Sequence, residues 1–302
     1  MKSKGKRKRR VDPWLYVMCI PALVIVIIYH YVPFFGWSIA FQRYNPALGM
    51  FGSPWVGLQH FRNLFINPAF SNVMFNTIYI SLQRIVFGFL APLIVSILLN
   101  ELTRERYKKL LQTTIYLPHF LSWIVLGGLF ISLLHPGEGA VNQMLGWIGI
   151  GPVNFLGDAG IFPYVVVWTG IWQSFGFGTI VYMAALTAID PSLYEAAAID
   201  RANRFQRIWH ITLPGLTPIM VLVGTLSVGG ILFAGFDQIV NLYNPAVFST
   251  GDVIDTFVFR VGLVGNQFDM ATAVGIFRGI ISLVLVSGTY YCAYKFADYR
   301  IF

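Results

Sequence analysis

The sequence predicts an all-α fold that crosses a membrane six times, and composition, the length of the apolar runs and the placement of charge predict it. The chain has 302 residues, of which 56% are hydrophobic and 11% are charged, whereas a soluble domain has about 45–50% apolar and about 25% charged residues. Its mean hydropathy is +0.66. A helix of about 20 apolar residues crosses the hydrocarbon core of a bilayer. Six such runs occur: Trp14–Phe35, Val73–Leu99, Thr113–Leu134, Phe162–Leu186, Pro218–Val240 and Ala271–Tyr294.

The first apolar run follows a basic tail, residues 1–13, which contains KSKGKRKRR. A signal peptide also starts with a basic region, but its apolar stretch has about 7–15 residues and ends at a small-residue cleavage site. The run from Trp14 is longer, and no such site ends it. We therefore expect a retained first span and a membrane domain over residues 14–302. Cys19 and Cys292 fall inside predicted spans, so a disulfide framework of the secreted type is not expected.

Lysine and arginine are distributed unevenly between the two ends of the predicted spans. Arg43, Arg62 and Arg260 lie on one side, and residues 135–160, also on that side, contain neither Lys nor Arg. Because basic residues are enriched in cytoplasmic loops, both termini and the connection between spans four and five are predicted to be cytoplasmic. The net charge of +8 is then explained by topology and by contact with anionic lipid, without nucleic-acid binding. Sixteen of the 21 basic residues fall on the predicted cytoplasmic side: the seven before Val11, and Arg104, Arg106, Lys108, Lys109, Arg201, Arg204, Arg207, Lys295 and Arg300.

The connection over residues 190–214 is charged, yet it carries helix signals. It includes YEAAAIDRANRFQRIWHITLP, and its arginines and acids would each cost about 2.5–3.5 kcal/mol at membrane depth. The segment is therefore expected to stay outside the bilayer. Asp190 is a predicted N-cap and Pro191 the first helical residue, and a break is expected at residues 200–202.

A second short helix is predicted after this break. Pro214 and Pro218 are expected to mark where the chain enters span five. From spacing alone, the segment is either a helical hairpin in the membrane interface, with no partner, or a lever for a soluble partner. Phe205, Ile208, Trp209 and Thr212 recur at helical spacing with Asn203, Gln206, Arg207 and His210 opposite, which predicts one face on an apolar surface and one in water.

The same segment resembles the cytoplasmic signature of permease subunits of bacterial ATP-binding-cassette (ABC) importers. That signature reads EAA, three residues, Gly, nine residues, Ile, one residue, Leu-Pro. The chain departs from it at Arg201, which stands at the glycine position and predicts either a different turn or a strained one. The matching residues are Glu195, Ala196 and Ala197, followed at the same spacing by Ile211, Leu213 and Pro214.

Three further stretches resemble the carbohydrate-uptake branch of these permeases, in particular those for oligosaccharides and polysaccharide fragments. They are NTIYISLQRIVFGFLAPLIVSILLNEL, IYLPHFLSW and DVIDTFVFRVGL, starting at Asn76, Ile115 and Asp252. The resemblance covers nearly the whole chain. It implies the type I ABC importer permease fold in a bacterial cell membrane, moving sugars by alternating access.

The resemblance also implies partners and site residues. Glu195, Ala196 and Ala197 would lie in a coupling helix that docks on an ATP-binding subunit, followed by a turn at Asp200, Arg201 and Ala202. Ile211, Leu213 and Pro214 would seat the segment against the membrane bundle. The implied partners are a homologous second permease, two ATP-binding subunits that bind ATP and Mg, and an extracytoplasmic solute-binding protein. This chain has no G-x-x-x-x-G-K-[ST] loop, so it is expected to hold no cofactor and to catalyse no reaction.

Polar residues inside predicted spans are candidates for the substrate path. The candidates are Trp168 and Trp172, one helical turn apart, with Gln173, Asp237 and Arg278; Arg84 and Gln238 also lie in spans. Tryptophan rings could stack on sugar faces, or could belong to an interfacial belt or to helix packing. Arg278 could snorkel or pair with Asp237 or Asp269. An acidic sugar cargo would favour Arg278 and Arg84 as its contacts.

Two other classes of membrane protein compete with an ABC permease. A self-sufficient secondary transporter or channel would show internal repeats or paired broken helices, and neither is evident in the sequence. A membrane enzyme would need acids, histidines or nucleophiles that converge at one depth, and none do. The five histidines are scattered without ligand spacing, so no metal site is predicted.

Overall fold

The computed structural model describes residues 13–297, and over that range the chain is helical with no β-strand. Residues 1–12 of the predicted basic tail, together with Arg300, lie outside the described residues. The α-helices are α1 (Pro13–Val26), α2 (Gly49–Gly52), α3 (Gln59–Ile66), α4 (Pro68–Asn100), α5 (Glu105–Tyr116), α6 (Trp123–Leu133), α7 (Ala140–Trp147), α8 (Phe162–Leu186), α9 (Pro191–Ile199), α10 (Arg204–Arg207), α11 (Leu213–Gly229), α12 (Phe236–Leu242), α13 (Phe248–Gly251), α14 (Ile254–Val258) and α15 (Phe268–Ala297). Wider π-helical turns occur at Ile27–Tyr31, Ile208–Thr212 and Phe259–Val264, and 3₁₀ segments at Val32–Phe41, Leu117–Phe120 and Pro245–Val247.

Several helices within residues 13–297 are long and apolar enough to cross a membrane. There are four of them: Tyr16–Phe41, Pro68–Asn100, Arg204–Gly229 and Phe268–Tyr291. A fifth crossing results if the bent pair α5–α6 is counted as one span. Helix α8 has the predicted bounds and 25 residues, but it is not among the four. The chain is thus an all-α, multi-pass membrane protein, while the count of six spans stays a prediction.

The third predicted span is wrong as a single straight helix. The helical segments Glu105–Phe120 and Trp123–Leu133 meet at an angle of 101°. Pro118 lies in the 3₁₀ segment that ends the first of them, and Leu121 is extended. The Ser122 hydroxyl then accepts a hydrogen bond from the Val125 N–H at 3.4 Å and caps the second. The proline and the new cap explain the bend.

The fifth predicted span, Pro218–Val240, is wrong at both ends. The helical run starts at Arg204 and continues through Pro214 and Pro218 to Gly229. The π-helical turn ends at Thr212, two residues before Pro214, and changes the hydrogen-bond ladder where a proline would otherwise break it. The chain then leaves the helix, and Gly235, at φ 93°, starts the separate helix α12. Residues 230–235 are called the helix break below.

Helices α4 and α8 run side by side in the same direction and form the centre of the bundle. Tyr79 lies against Tyr164 at one end, and Phe89 lies against Tyr182 toward the other. Because α8 leads into residues 190–214, the start of α4 lies at the opposite end of the bundle. The largest buried cluster covers both helices and the later segments that pack on them: Ile80, Phe162, Val166, Val167, Ile171, Ala234, Ile239, Leu242, Val247 and Val253.

Two of the stretches that carry the family resemblance contact each other at the end opposite residues 190–214. The buried Asn76 side chain donates to the carbonyl oxygens of Ser249 and Asp252 at 3.0 and 3.1 Å. The Ile254 N–H donates to the Thr77 hydroxyl at 2.9 Å. Side chains of α4 therefore satisfy backbone groups of the loop before α14, which fixes that loop on the bundle.

Candidate functional site

The coupling segment, residues 190–214, begins with the predicted capped helix. The Asp190 carboxylate accepts a hydrogen bond from the Ser192 N–H at 2.9 Å, and Pro191 is the first residue of α9. Hydrogen bonds from the Ser192 backbone and side chain lower the pKa of Asp190 below its ordinary value. The carboxylate therefore stays ionised at the positive end of the helix.

Helix α9 ends at the position where the signature has glycine. Arg201 has φ 56°, in the left-handed region. The Arg201 N–H donates to the Ala198 carbonyl at 3.1 Å, and the Ala202 N–H donates to the Ala197 carbonyl at 2.9 Å. This pair of bonds defines a Schellman motif, whose left-handed residue is usually glycine. The strained alternative of the two predicted turns is the one observed: the backbone makes the glycine turn with an arginine in it.

The second helix starts with a reciprocal cap that was not predicted. The Asn203 N–H donates to the Gln206 side-chain oxygen at 2.8 Å, and the Gln206 N–H donates to the Asn203 side-chain oxygen at 2.9 Å. The signal was present, because Asn followed three residues later by Gln is a variant of the capping box. The pattern at helical spacing predicts only that both residues lie on the face in water.

The predicted apolar face of this second helix is only partly covered by the chain, and Ile208 on that face is half-buried. The Phe205 and Trp209 side chains are 85% and 70% exposed, while Thr212 is buried. The π-helical turn over Ile208–Thr212 changes the spacing on which that face was predicted. Only the end of the turn reaches the bundle, where the Thr212 and Tyr194 hydroxyls lie 3.0 Å apart and join the two helices.

The signature residues divide into an exposed group and a seated group. Glu195, Ala196, Asp200 and Arg201 are exposed, as is Pro214. Ile211 and Leu213 are half-buried. Between the two helices lies a notch of about 260 Å³, lined by Ala197, Asp200, Ala202, Gln206, Arg207, His210 and Ile211. Because the side chains of Ala197 and Ala202 are small, they leave this notch open. An open notch suits a docking surface.

The predicted path residues do not converge on one point. The Trp168 ring lies 5.1 Å from the Phe87 ring and the Trp172 ring 5.6 Å from the Phe130 ring, and both indoles are partly exposed. Gln173 donates to the His119 carbonyl oxygen at 3.3 Å, which ties α8 to the bend after α5.

Arg278 pairs with an acid that was not predicted. Its guanidinium forms an ion pair with Asp255 and lies 3.7 Å over the Phe233 ring. Neither of the two predicted partners, Asp237 or Asp269, forms an ion pair with Arg278. Asp237 is exposed in the first turn of α12, while Asp269 accepts from the Tyr44 N–H and lies 3.5 Å from the His60 ring. Arg278, Asp255 and Phe233 line a largely apolar cavity of about 860 Å³.

Gln238 is a structural tie between α12 and α8. Its side-chain amide donates to the Val166 carbonyl and to the Thr169 hydroxyl, both at 2.7 Å.

Residues 13–297 contain no group of three or more His, Cys, Asp or Glu side chains that could hold a metal ion.

Comparisons with known proteins agree with this geometry. The family model described as "Binding-protein-dependent transport system inner membrane component" matches residues 84–300. Protein LplB of Bacillus subtilis is 37% identical, with 96% of this chain and 92% of LplB covered. The polygalacturonan/rhamnogalacturonan transport system permease protein YteP of the same species is 38% identical, with 99% and 95% covered.

A solved structure shows the same likeness. A bacterial ABC transporter involved in the import of the acidic polysaccharide alginate contains a chain that is 38% identical to this one. It superposes with a TM-score of 0.88, over 94% of this chain and 96% of that one. The chain therefore belongs to the family of binding-protein-dependent transport system inner membrane components, as a non-catalytic permease subunit of an ABC importer.

Proposed function

We propose that this chain imports oligosaccharides or polysaccharide fragments, including acidic ones, as one of two homologous permease subunits. Two separate ATP-binding subunits would bind ATP and Mg and drive the transport, and an extracytoplasmic binding protein would deliver the sugar. The names of the relatives support the cargo, since one transports polygalacturonan and rhamnogalacturonan and another takes part in alginate import. A related alginate transporter has been solved together with a periplasmic protein bound to an alginate pentasaccharide.

The observation that carries the proposal is the continuous helical run from Arg204 to Gly229. Its 26 residues span about 39 Å, at 1.5 Å per residue. Because the run starts inside the coupling segment and continues into the membrane, a force on α9 reaches the bundle through one rigid helix. The Tyr194–Thr212 hydrogen bond joins α9 to the base of that run.

In this proposal the exposed Glu195 and Ala196 and the half-buried Ala197 contact the ATP-binding subunit, with the turn at Asp200, Arg201 and Ala202 beside them. Ile211, Leu213 and Pro214 hold the segment against the bundle. The partly exposed Trp168 and Trp172 line the sugar path with Gln173. Asp237 and Arg278 are the other proposed residues of that path. The excess of basic residues around the coupling segment and the N-terminus supports cytoplasmic termini.

Reconstitution in vesicles tests the proposal. Both permeases, the ATP-binding subunits and the binding protein would be assembled, and ATP-dependent uptake of a labelled oligogalacturonate measured after omission of each component. Uptake that needs every component is the expected result. If the purified chain alone moves the sugar, it is a self-sufficient secondary transporter or channel instead, and the proposal fails.

A further inference from the structure

Arg84 is a positive charge in the interior of the bundle. It is the seventeenth of the 33 residues of α4, so about 24 Å of helix extends on either side of it. A residue at the middle of a spanning helix lies near the bilayer midplane, where ionised side chains are rare and mark pathways for ions or substrates.

No acid of residues 13–297 neutralises this charge. Asp269, Asp252 and Asp255 pair instead with His60, Arg260 and Arg278. Arg84 makes one hydrogen bond, to the carbonyl oxygen of Ala234 in the helix break. A guanidinium carries five N–H donors in a fixed planar fork, so most of its donors have no partner among the described residues.

The surroundings leave space for the guanidinium and for a ligand. A methyl group on Gly170 would lie 2.8 Å from a terminal nitrogen of Arg84 and also 2.8 Å from the Gln238 side-chain oxygen. That oxygen is buried without a hydrogen-bond partner, as is the Ser81 hydroxyl one helical turn before Arg84. A cavity of about 250 Å³ opens beside Arg84, lined by Ser81, Arg84, Ile85, Gly88, Ser227, Gly230 and Phe233.

This combination fits one chemical group. A planar fork with free donors matches a carboxylate in a bidentate pair, and an unpaired hydroxyl beside it can donate a further bond. The cavity is smaller than the 300–1,000 Å³ of a typical ligand pocket, so it suits one charged group of a larger cargo. We propose that Arg84, assisted by Ser81, binds carboxylates of acidic sugars on their way through the permease.

The inference rests on the proposed import function and names the cargo more closely, as oligosaccharides that carry uronate groups. The competing explanation is structural, because Arg84 could serve only to hold the helix break through the Ala234 carbonyl. The two explanations differ in one respect: a carboxylate site discriminates acidic from neutral sugars, whereas a structural tie affects both alike.

Equilibrium dialysis on the assembled permease–ATPase complex in nanodiscs tests this, with labelled trigalacturonate as the acidic probe and maltotriose as the neutral probe. We expect Arg84→Gln to weaken trigalacturonate binding at least tenfold and to change maltotriose binding less than twofold. Arg84→Lys, which keeps the charge and loses the fork, should fall between Arg84→Gln and the wild type. Arg62→Gln, which removes an exposed arginine from α3, should bind both probes as the wild type does.

Three results would overturn the inference: no trigalacturonate binding to the wild-type complex, binding to Arg84→Gln within twofold of the wild type, or equal loss of both probes. If Arg84→Gln does not assemble, Arg84→Lys decides, because unchanged trigalacturonate binding there removes the role of the fork. ATPase stimulation by the loaded binding protein is measured in parallel on the wild type. Its absence defeats the proposed function itself, whereas normal stimulation with an unaffected Arg84→Gln defeats only the carboxylate site.

Discussion

The N–H of Ala202 donates to the carbonyl oxygen of Ala197 at 2.9 Å, across an arginine in the left-handed conformation. The bond ends α9 and turns the chain toward the run that starts at Arg204. Both alanines also line the notch between the two helices. The turn therefore sets the angle between α9 and the helical run that starts at Arg204.

Replacing Arg201 with glycine should stabilise this turn. A non-glycine residue in the left-handed region costs about 1–2 kcal/mol, which glycine avoids at the expense of greater freedom in the unfolded chain. We expect Arg201→Gly to raise the melting temperature of the purified complex slightly and to preserve transport, while Arg201→Val lowers it. A clear loss of stability in Arg201→Gly would show that the arginine side chain itself holds the turn.

Reversing the charge of Glu195 should weaken the docking of α9 on the ATP-binding subunit. The side chain is exposed on α9, so Glu195→Lys should insert and fold normally while ATPase stimulation and uptake fall at least tenfold. Glu105→Lys, an exposed charge reversal outside the signature, is the matched control and should stay near wild-type activity. Unchanged uptake in Glu195→Lys would refute its docking role.

The ion pair between Arg278 and Asp255 should behave as a unit. Both side chains are mostly buried, so removing one partner leaves an unpaired charge and costs about 3–5 kcal/mol, whereas replacing both with apolar residues costs far less. Thermal unfolding of the purified complex should rank Arg278→Met below the double variant Arg278→Met with Asp255→Leu. A double variant less stable than the single one would contradict the pairing.

The buried Asn76 should stabilise the end of the bundle away from the coupling segment. Asn76→Ala removes the donor to the Asp252 carbonyl, and an unsatisfied buried acceptor costs about 1–3 kcal/mol. Asn72 donates to the Ser249 carbonyl from an exposed position, so Asn72→Ala should cost less than about 1 kcal/mol. Equal effects of the two variants on the melting temperature would argue against this role for Asn76.

Local signals predicted the coupling segment well. The Asp190 cap, Pro191 and the break at residues 200–202 depend on neighbours in the sequence, and the structure confirms all three. The apolar runs likewise located most of the long helices, because burial in lipid requires a continuous run of apolar residues.

The errors arose where apolar neighbours hide a helix break and where distant residues decide the outcome. Apolar residues on both sides of Pro118 and of residues 230–235 hide the two breaks, since hydropathy does not reveal where a helix turns. The partner of Arg278 lies on a separate helix, and only the tertiary fold brings Asp255 to it. The π-helical turn over Ile208–Thr212 changes the helical spacing after Arg207, and a pattern at 3.6 residues per turn does not reveal such a turn.

The central claim is that α9 docks on a separate ATP-binding subunit. Disulfide or bifunctional cross-linking from position 196 tests that claim most directly. Ala196→Cys would be introduced after replacing Cys19 and Cys292 with serine, and cross-linked in membranes that contain the assembled transporter. We predict capture of an ATP-binding subunit, with a yield that changes when ATP is added, and no capture from the control Glu138→Cys at the far end of the bundle. Failure of position 196 to capture that subunit, in a complex that still hydrolyses ATP and transports sugar, would contradict the account.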